Sequence, residues 1–204
     1  MLAEFTIYND PLRPSVTTNL CSVCYRHERF EGKGIGCCSY EPEFCLFDLV
    51  FLYLNYPGIY HDLQQNSRII SGFNGIMAEA TSGTKQCPYV GVGGCVLPKD
   101  ALTPLCRLFI CREAALFAPS KFEDRFDQYF TSKEYRINQK LNKQLPEDIS
   151  LTWESLHDFI KNAALEIKKE IASIDRSNPA VEHYSQEIDL TTFGDIPHDP
   201  PLSS

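Results

Sequence analysis

The sequence predicts a mainly α protein. An irregular cysteine-rich core with a short β-hairpin is closed by a C-terminal antiparallel helical hairpin. Three observations carry this reading. Nine cysteines stand among 204 residues, eight of them in two groups separated by an apolar segment. The stretch CPYVGVGGCVLP has the form of a strand, a glycine turn and a return strand. Toward the C-terminus, two long segments repeat apolar residues at steps of three and four, with Pro146 between them.

The elements follow in order. Residues 1–20 read as an extended or irregular lead-in, because Pro11 and Pro14 prevent a regular helix. CSVCYRHERFEGKGIGCC reads as a loop-rich knuckle punctuated by Gly32, Gly34 and Gly36. Pro42 and Glu43 open a helix over FCLFDLVFLYLNY that must stop before Pro57. Its apolar residues run almost all round, which predicts burial rather than a surface position. A short polar helix is expected around Tyr60 to Asn66. RIISGFNGIMAEATSG has room for a brief strand or two, and DALTPLCRLFICREAALF is helical in its second half.

A helix over about 120–145 would carry Phe122, Phe126, Tyr129 and Phe130 on one side. A second, over about 152–175, places Leu156, Ile160, Ala163, Ile167, Ile171 and Ile174 on one stripe, with Lys161, Lys168 and Lys169 outside it. The short link at Pro146 predicts that the two pack antiparallel on each other. From Ser177 the chain turns acidic and proline-bearing and reads as a mobile tail. The expected organisation is therefore one domain, with a metal-binding region at 1–117, a helical hairpin at 118–176 and a flexible tail at 177–204.

Bulk properties narrow the function. A net charge of -8 and a pI near 5.1 argue against nucleic acid and anionic membrane surfaces as partners. Nothing approaches the roughly 18 to 20 apolar residues of a membrane span. The best candidate, Phe44 to Leu54, is too short and carries Asp48. The N-terminus lacks the basic start and apolar core of a signal peptide, so a cytoplasmic location is expected. Disulfides do not persist in a reducing compartment, and an odd cysteine count suits a closed disulfide framework poorly. Metal ligation fits both facts.

The spacing is Cys21-x2-Cys24-x12-Cys37-Cys38, then Cys87-x7-Cys95-x10-Cys106-x4-Cys111. A C-x2-C pair can turn two sulfurs toward one ion, and thiolates select zinc or iron–sulfur clusters over hard cations. Glycines at 32, 34 and 36, and again at 91, 93 and 94, leave room for backbone N–H groups to approach sulfur. The side chains of the adjacent Cys37 and Cys38 diverge in an extended segment, so they can face two metals, or one metal and the core. These eight cysteines are the candidate ligands, in two four-cysteine sites or one site with spare thiols. Cys45, inside the apolar segment, reads as a buried small hydrophobe. His27 lies in a charged RHER run and reads as solvent-facing. GKGIG lacks the apolar strand and the Lys-Ser/Thr of a phosphate-binding loop. Glu41, Glu43 and Asp48 are possible acid/base groups, with helix-start carboxylates as the plainer reading for the two glutamates. Arg107 is a group for balancing thiolate charge or holding an anion. No Ser-His-Asp or zinc-protease signature is present.

With its doublet at 37 and 38, and with Cys87-Pro88, Gly94-Cys95, Pro104, Cys106-Arg107 and Phe109, the stretch from 21 to 111 resembles the YkgJ-like cysteine-cluster family. The chain differs from that family in placing twelve residues, rather than two, between Cys24 and Cys37. The resemblance implies zinc or iron chelation. Some members are flagellin lysine N-methylases implied to carry a cluster. The expected function is thus a metal-binding protein holding zinc or an iron–sulfur cluster. One alternative is a cluster-dependent enzyme, either an oxidoreductase or a protein-modifying methyl-transfer relative, although no nucleotide or S-adenosylmethionine fingerprint is present. The other is a structural zinc module whose helical hairpin or tail docks a protein partner.

Overall fold

An eight-residue segment at the N-terminus, LAEFTIYN, alternates apolar and polar side chains, and that period of two is the pattern of a strand with one buried face. In the computed structural model it forms β1 (Leu2–Asn9), with Ala3, Phe5 and Ile7 buried. The structure describes residues 1–22, 41–72, 75–83, 87–91, 94–109, 114, 117–119, 125–146 and 152–189. Pro11 and Pro14 fall after β1, in the link to β2 (Ser15–Thr18), where they cost no ladder bond. Asp10 Oδ1 organises that link by accepting from the amides of Leu12 and Arg13, each at 2.8 Å.

The second sheet is assembled around the apolar centre of the sequence. β3 (Glu43–Cys45), β4 (Ser67–Gly72) and β5 (Gly75–Ala80) form an antiparallel sheet in the order β3-β5-β4. Phe44 pairs with Ala78 and Cys45 with Met77. Helix α1 (Leu46–Asn55) follows β3 directly, so the predicted helix starts at Leu46 rather than at Pro42. Every residue from Leu46 to Leu52 is buried, as an all-round apolar helix requires. α2 (Pro57–Asn66) begins at the proline that ends α1, whose fixed φ suits a first helical position. A third sheet is the small hairpin of β6 (Val90–Gly91) and β7 (Gly94–Cys95), where the glycine turn was predicted.

Further along the chain lie helices α3 (Pro104–Leu108), α4 (Arg125–Thr131), α5 (Lys133–Gln144) and α6 (Trp153–Ala172). The expected antiparallel hairpin is not what they form. α5 and α6 both lay their apolar faces on α1, Ile137 and Leu141 from one and Leu156, Ile160, Ala163, Ala164 and Ile167 from the other. α1 is apolar on all sides, and covering it outweighs mutual packing of its neighbours. The long helix predicted at 120–145 is interrupted at Ser132, whose hydroxyl caps α5 by accepting from the amide of Tyr135 at 3.0 Å.

The chain does not leave the domain after α6. Ala180–Glu187, assigned from composition to a tail, is strand β8 and pairs antiparallel with the whole of β1. The resulting sheet has the order β2-β1-β8. Among the described residues three antiparallel sheets therefore replace the mainly α architecture with its single hairpin. The sequence missed this because β8 is exposed on both faces along most of its length and carries little apolar patterning. Its partner β1, 170 residues earlier, supplies the ladder. Among the described residues no helix is long and apolar enough to cross a membrane.

Candidate metal centre

Of the eight predicted ligands, four lie on described residues. Cys21 sits among helical residues that begin at Leu20, just past β2, and the amide of Ser22 donates to Asn19 O at 3.2 Å. Cys87 opens the turn into the small hairpin, its carbonyl accepting from Val90 N at 3.2 Å. Cys95 ends β7 opposite Val90. Cys106 lies in the first turn of α3, where its amide donates to the capping hydroxyl of Thr103 at 3.4 Å. Cys21 and Cys95 are exposed, Cys106 is half-buried and Cys87 is buried. Cys24, Cys37, Cys38 and Cys111 lie outside the described residues.

The small hairpin meets the turn that carries Cys21. Gly94 has φ of +104°, a left-handed conformation that favours glycine. A Cβ built there would stand 3.7 Å from the carbonyl oxygen of Cys21 and 3.8 Å from its Cβ. The backbone beside Cys95 thus lies against Cys21, which comes from the other cysteine group of the sequence. Tyr89 stands in the turn between Cys87 and β6. Burial raises its phenol, as do the hydrogen bond it donates to Asp62 Oδ2 at 3.0 Å and the charges of Asp62, Cys87 and Cys95. Its ring meets Phe44 edge-on at 6.2 Å between centroids. Among the described residues alone, no three His, Cys, Asp or Glu side chains form a group that could hold a metal ion.

Behind Cys106 lies a buried ionic cluster that the sequence reading did not find. Arg13, Asp48, Arg107, Glu134 and Asn138 are all almost fully removed from water. Arg13 Nη2 donates to Asp48 Oδ1 and to Leu102 O, both at 2.7 Å. Arg107 Nη2 reaches both oxygens of Glu134, at 2.6 and 2.5 Å, while its Nη1 donates to Pro14 O at 2.5 Å and its Nε to Leu102 O at 2.9 Å. Arg13 Nη1 is 3.4 Å from Glu134 Oε1, so two cations face two carboxylates. Neither Nε nor Nη1 of Arg13 has a hydrogen-bond acceptor; the guanidinium instead lies over the Phe51 ring, 4.5 Å from its centroid. Burial works against the charge of Arg13, but Glu134 and Asp48 more than reverse this and raise it. In Arg107 burial prevails and lowers it.

Asp48 is therefore an ion-pair partner inside the core, and Arg107 is committed to Glu134 rather than to a thiolate or an exogenous anion. One sequence signal did exist. A carboxylate within an otherwise apolar run must find a buried cation, because an unpaired one would cost too much to desolvate. Nothing in the sequence says that the cation is Arg13, in a proline-flanked link 35 residues earlier.

Cys45 belongs to this cluster and not to the hairpin. Its thiol donates to Asp48 Oδ2, and the Tyr129 hydroxyl is 4.0 Å from its sulfur. Burial, reinforced by the negative charges of Asp48 and Glu134, pushes the thiol well above its ordinary range. The reading of Cys45 as a buried small side chain agrees with this position. Comparison of the chain with protein-family models, with curated proteins and with solved structures finds no match to any of the three.

Proposed function

We propose that this chain is a metal-binding protein that holds zinc or an iron–sulfur cluster through cysteine thiolates. Cys21, Cys87, Cys95 and Cys106 are the ligands drawn from described residues. Cys24, Cys37, Cys38 and Cys111 complete the set suggested by the sequence and by its resemblance to the YkgJ-like family. The observation that supports the reading is the proximity of Gly94 to Cys21, whose carbonyl oxygen and Cβ would lie 3.7 and 3.8 Å from a Cβ built on the glycine. It brings two cysteine groups far apart in sequence together through a residue without a side chain. Bound zinc would cross-link the segments, whereas a cluster would add an electron-transfer group. A thiol-based centre suits a reducing compartment, and the net charge of -8 disfavours nucleic acid and anionic membranes as partners.

The test is anaerobic purification with metal analysis and a visible spectrum. Iron with acid-labile sulfide and a broad brown absorption supports the cluster form, and zinc in a colourless protein supports the zinc form. Replacement of Cys21 or Cys95 by Ser lowers the metal content in either case. A folded chain that carries neither metal, and takes up neither when reconstituted, overturns the reading.

A further inference from the structure

We infer that Arg107 is a positioning residue for this centre, tying the segment that leads to Cys21 to the helix that carries Cys106. The inference rests on the metal-binding reading above. Arg107 is fully buried, and its guanidinium joins three parts of the chain. Nη1 holds Pro14 O, the residue before β2, and β2 runs directly into the turn bearing Cys21. Nη2 holds both oxygens of Glu134 on α5. Nε holds Leu102 O, two residues before α3 begins.

Leu102 O also accepts from Arg13 Nη2, so the same carbonyl ties the second buried cation to the start of α3. Cys106 is the neighbour of Arg107 and is held independently at its amide by the Thr103 cap. The backbone of Cys106 is thus held on both sides, by the Thr103 cap and by the bonds of Arg107. A planar fork with fixed donor directions can make these contacts together, whereas a lysine ammonium on a flexible stem cannot. Glu134 acts through Arg107: it neutralises the buried cation and holds its plane, as partners behind a ligand orient that ligand.

Cobalt(II) titration of the reduced, metal-free full-length chain tests this, because thiolate-to-cobalt charge-transfer intensity counts the sulfurs bound. Arg107→Lys keeps the charge and loses the fork. The double variant Arg107→Met with Glu134→Met removes the pair together and leaves no buried charge unpaired, a replacement that folded proteins tolerate. With the fold verified by circular dichroism, the variants should bind cobalt about tenfold or more weakly than wild type. They should also show a lower charge-transfer intensity per cobalt, a change that loss of stability alone does not produce. Wild-type intensity and affinity in a folded double variant would overturn the positioning role and leave metal binding intact. A wild-type chain that binds no cobalt would overturn both.

Discussion

The Cys45 thiol donates a hydrogen bond to Asp48 Oδ2 at 3.2 Å, inside a core where the two side chains are 3% and 0% exposed. The same carboxylate oxygen accepts from the amide of Cys45 at 3.1 Å, closing the first turn of α1. A thiol raised by burial and by neighbouring carboxylates remains protonated at neutral pH, and it is the thiolate that binds metal. Cys45→Ala should therefore leave metal content unchanged while costing about 1–3 kcal/mol in urea unfolding, through a small cavity and a lost hydrogen bond. Alkylation of the native protein should spare Cys45. Loss of metal in Cys45→Ala would add it to the ligand set.

The Arg13–Asp48 pair makes a separate prediction. Asp48→Asn leaves the buried Arg13 without its closest carboxylate and should cost about 3–5 kcal/mol. Replacing both, as Arg13→Met with Asp48→Leu, should recover most of that loss, because Arg107 Nη2 still bonds both oxygens of Glu134. Equilibrium denaturation of the two single variants and the double variant checks this. A double variant less stable than either single one would contradict it.

Asp10 should make stability depend on acid. It joins Arg176, beyond the end of α6, to the β1–β2 link, with Arg176 Nε 2.8 Å from its Oδ2. Burial acts to raise this carboxyl, yet hydrogen bonds from the Arg13 amide, the Arg176 guanidinium and the Leu12 amide outweigh it and leave it below its ordinary value. Because the folded value lies below the unfolded one, the stabilisation is complete above the unfolded value. It is lost as pH falls through the folded value. Asp10→Asn should cost about 1–2 kcal/mol at pH 7, and the gap should narrow below about pH 4. A gap constant from pH 7 down to acid unfolding would refute the assignment.

Two glycines with positive φ should respond differently to alanine. Gly75, at +102°, closes the β4–β5 ladder opposite Gly72, and a Cβ there would stand 1.9 Å from Asn142 Oδ1. That oxygen accepts from Ile76 N at 3.1 Å, so Gly75→Ala combines backbone strain with a displaced hydrogen bond. It should cost about 2–3 kcal/mol with metal content unchanged. At Gly94 the nearest atoms are at ordinary contact distance. Gly94→Ala should cost about 1 kcal/mol of stability through its backbone conformation alone, while weakening metal binding by filling the approach to Cys21. Thermal melts paired with metal analysis separate the two effects. Equal metal loss in both variants would contradict the assignment.

Part of the fold was legible in short-range pattern. The apolar run from Phe44 to Tyr56 announced a buried helix and Pro57 its end, while the next helix, expected around Tyr60 to Asn66, begins at Pro57 itself. The stripe from Leu156 to Ile167 announced α6 and its inward face. The glycine turn in CPYVGVGGCVLP announced the β6–β7 hairpin. The candidate site was partly legible in the same way, since thiol density and glycine-rich approaches are properties of composition and spacing. The alternation in LAEFTIYN is equally local, but the two prolines after it make the segment resemble an extended lead-in.

Sequence alone determined which segments must be buried and which residue types carry chemistry, because hydrophobic period, proline and glycine act over a few residues. Tertiary structure decided which partner each segment found. Only the fold pairs β8 with β1, sends α5 and α6 onto α1 instead of onto each other, and sets Cys21 beside Gly94. It also brings Arg13, Asp48, Arg107 and Glu134 together from four separate elements of the chain. The reason is physical. A strand edge, an apolar helix face or a buried charge has an unmet requirement that is written locally, and the group that meets it can lie anywhere along the chain.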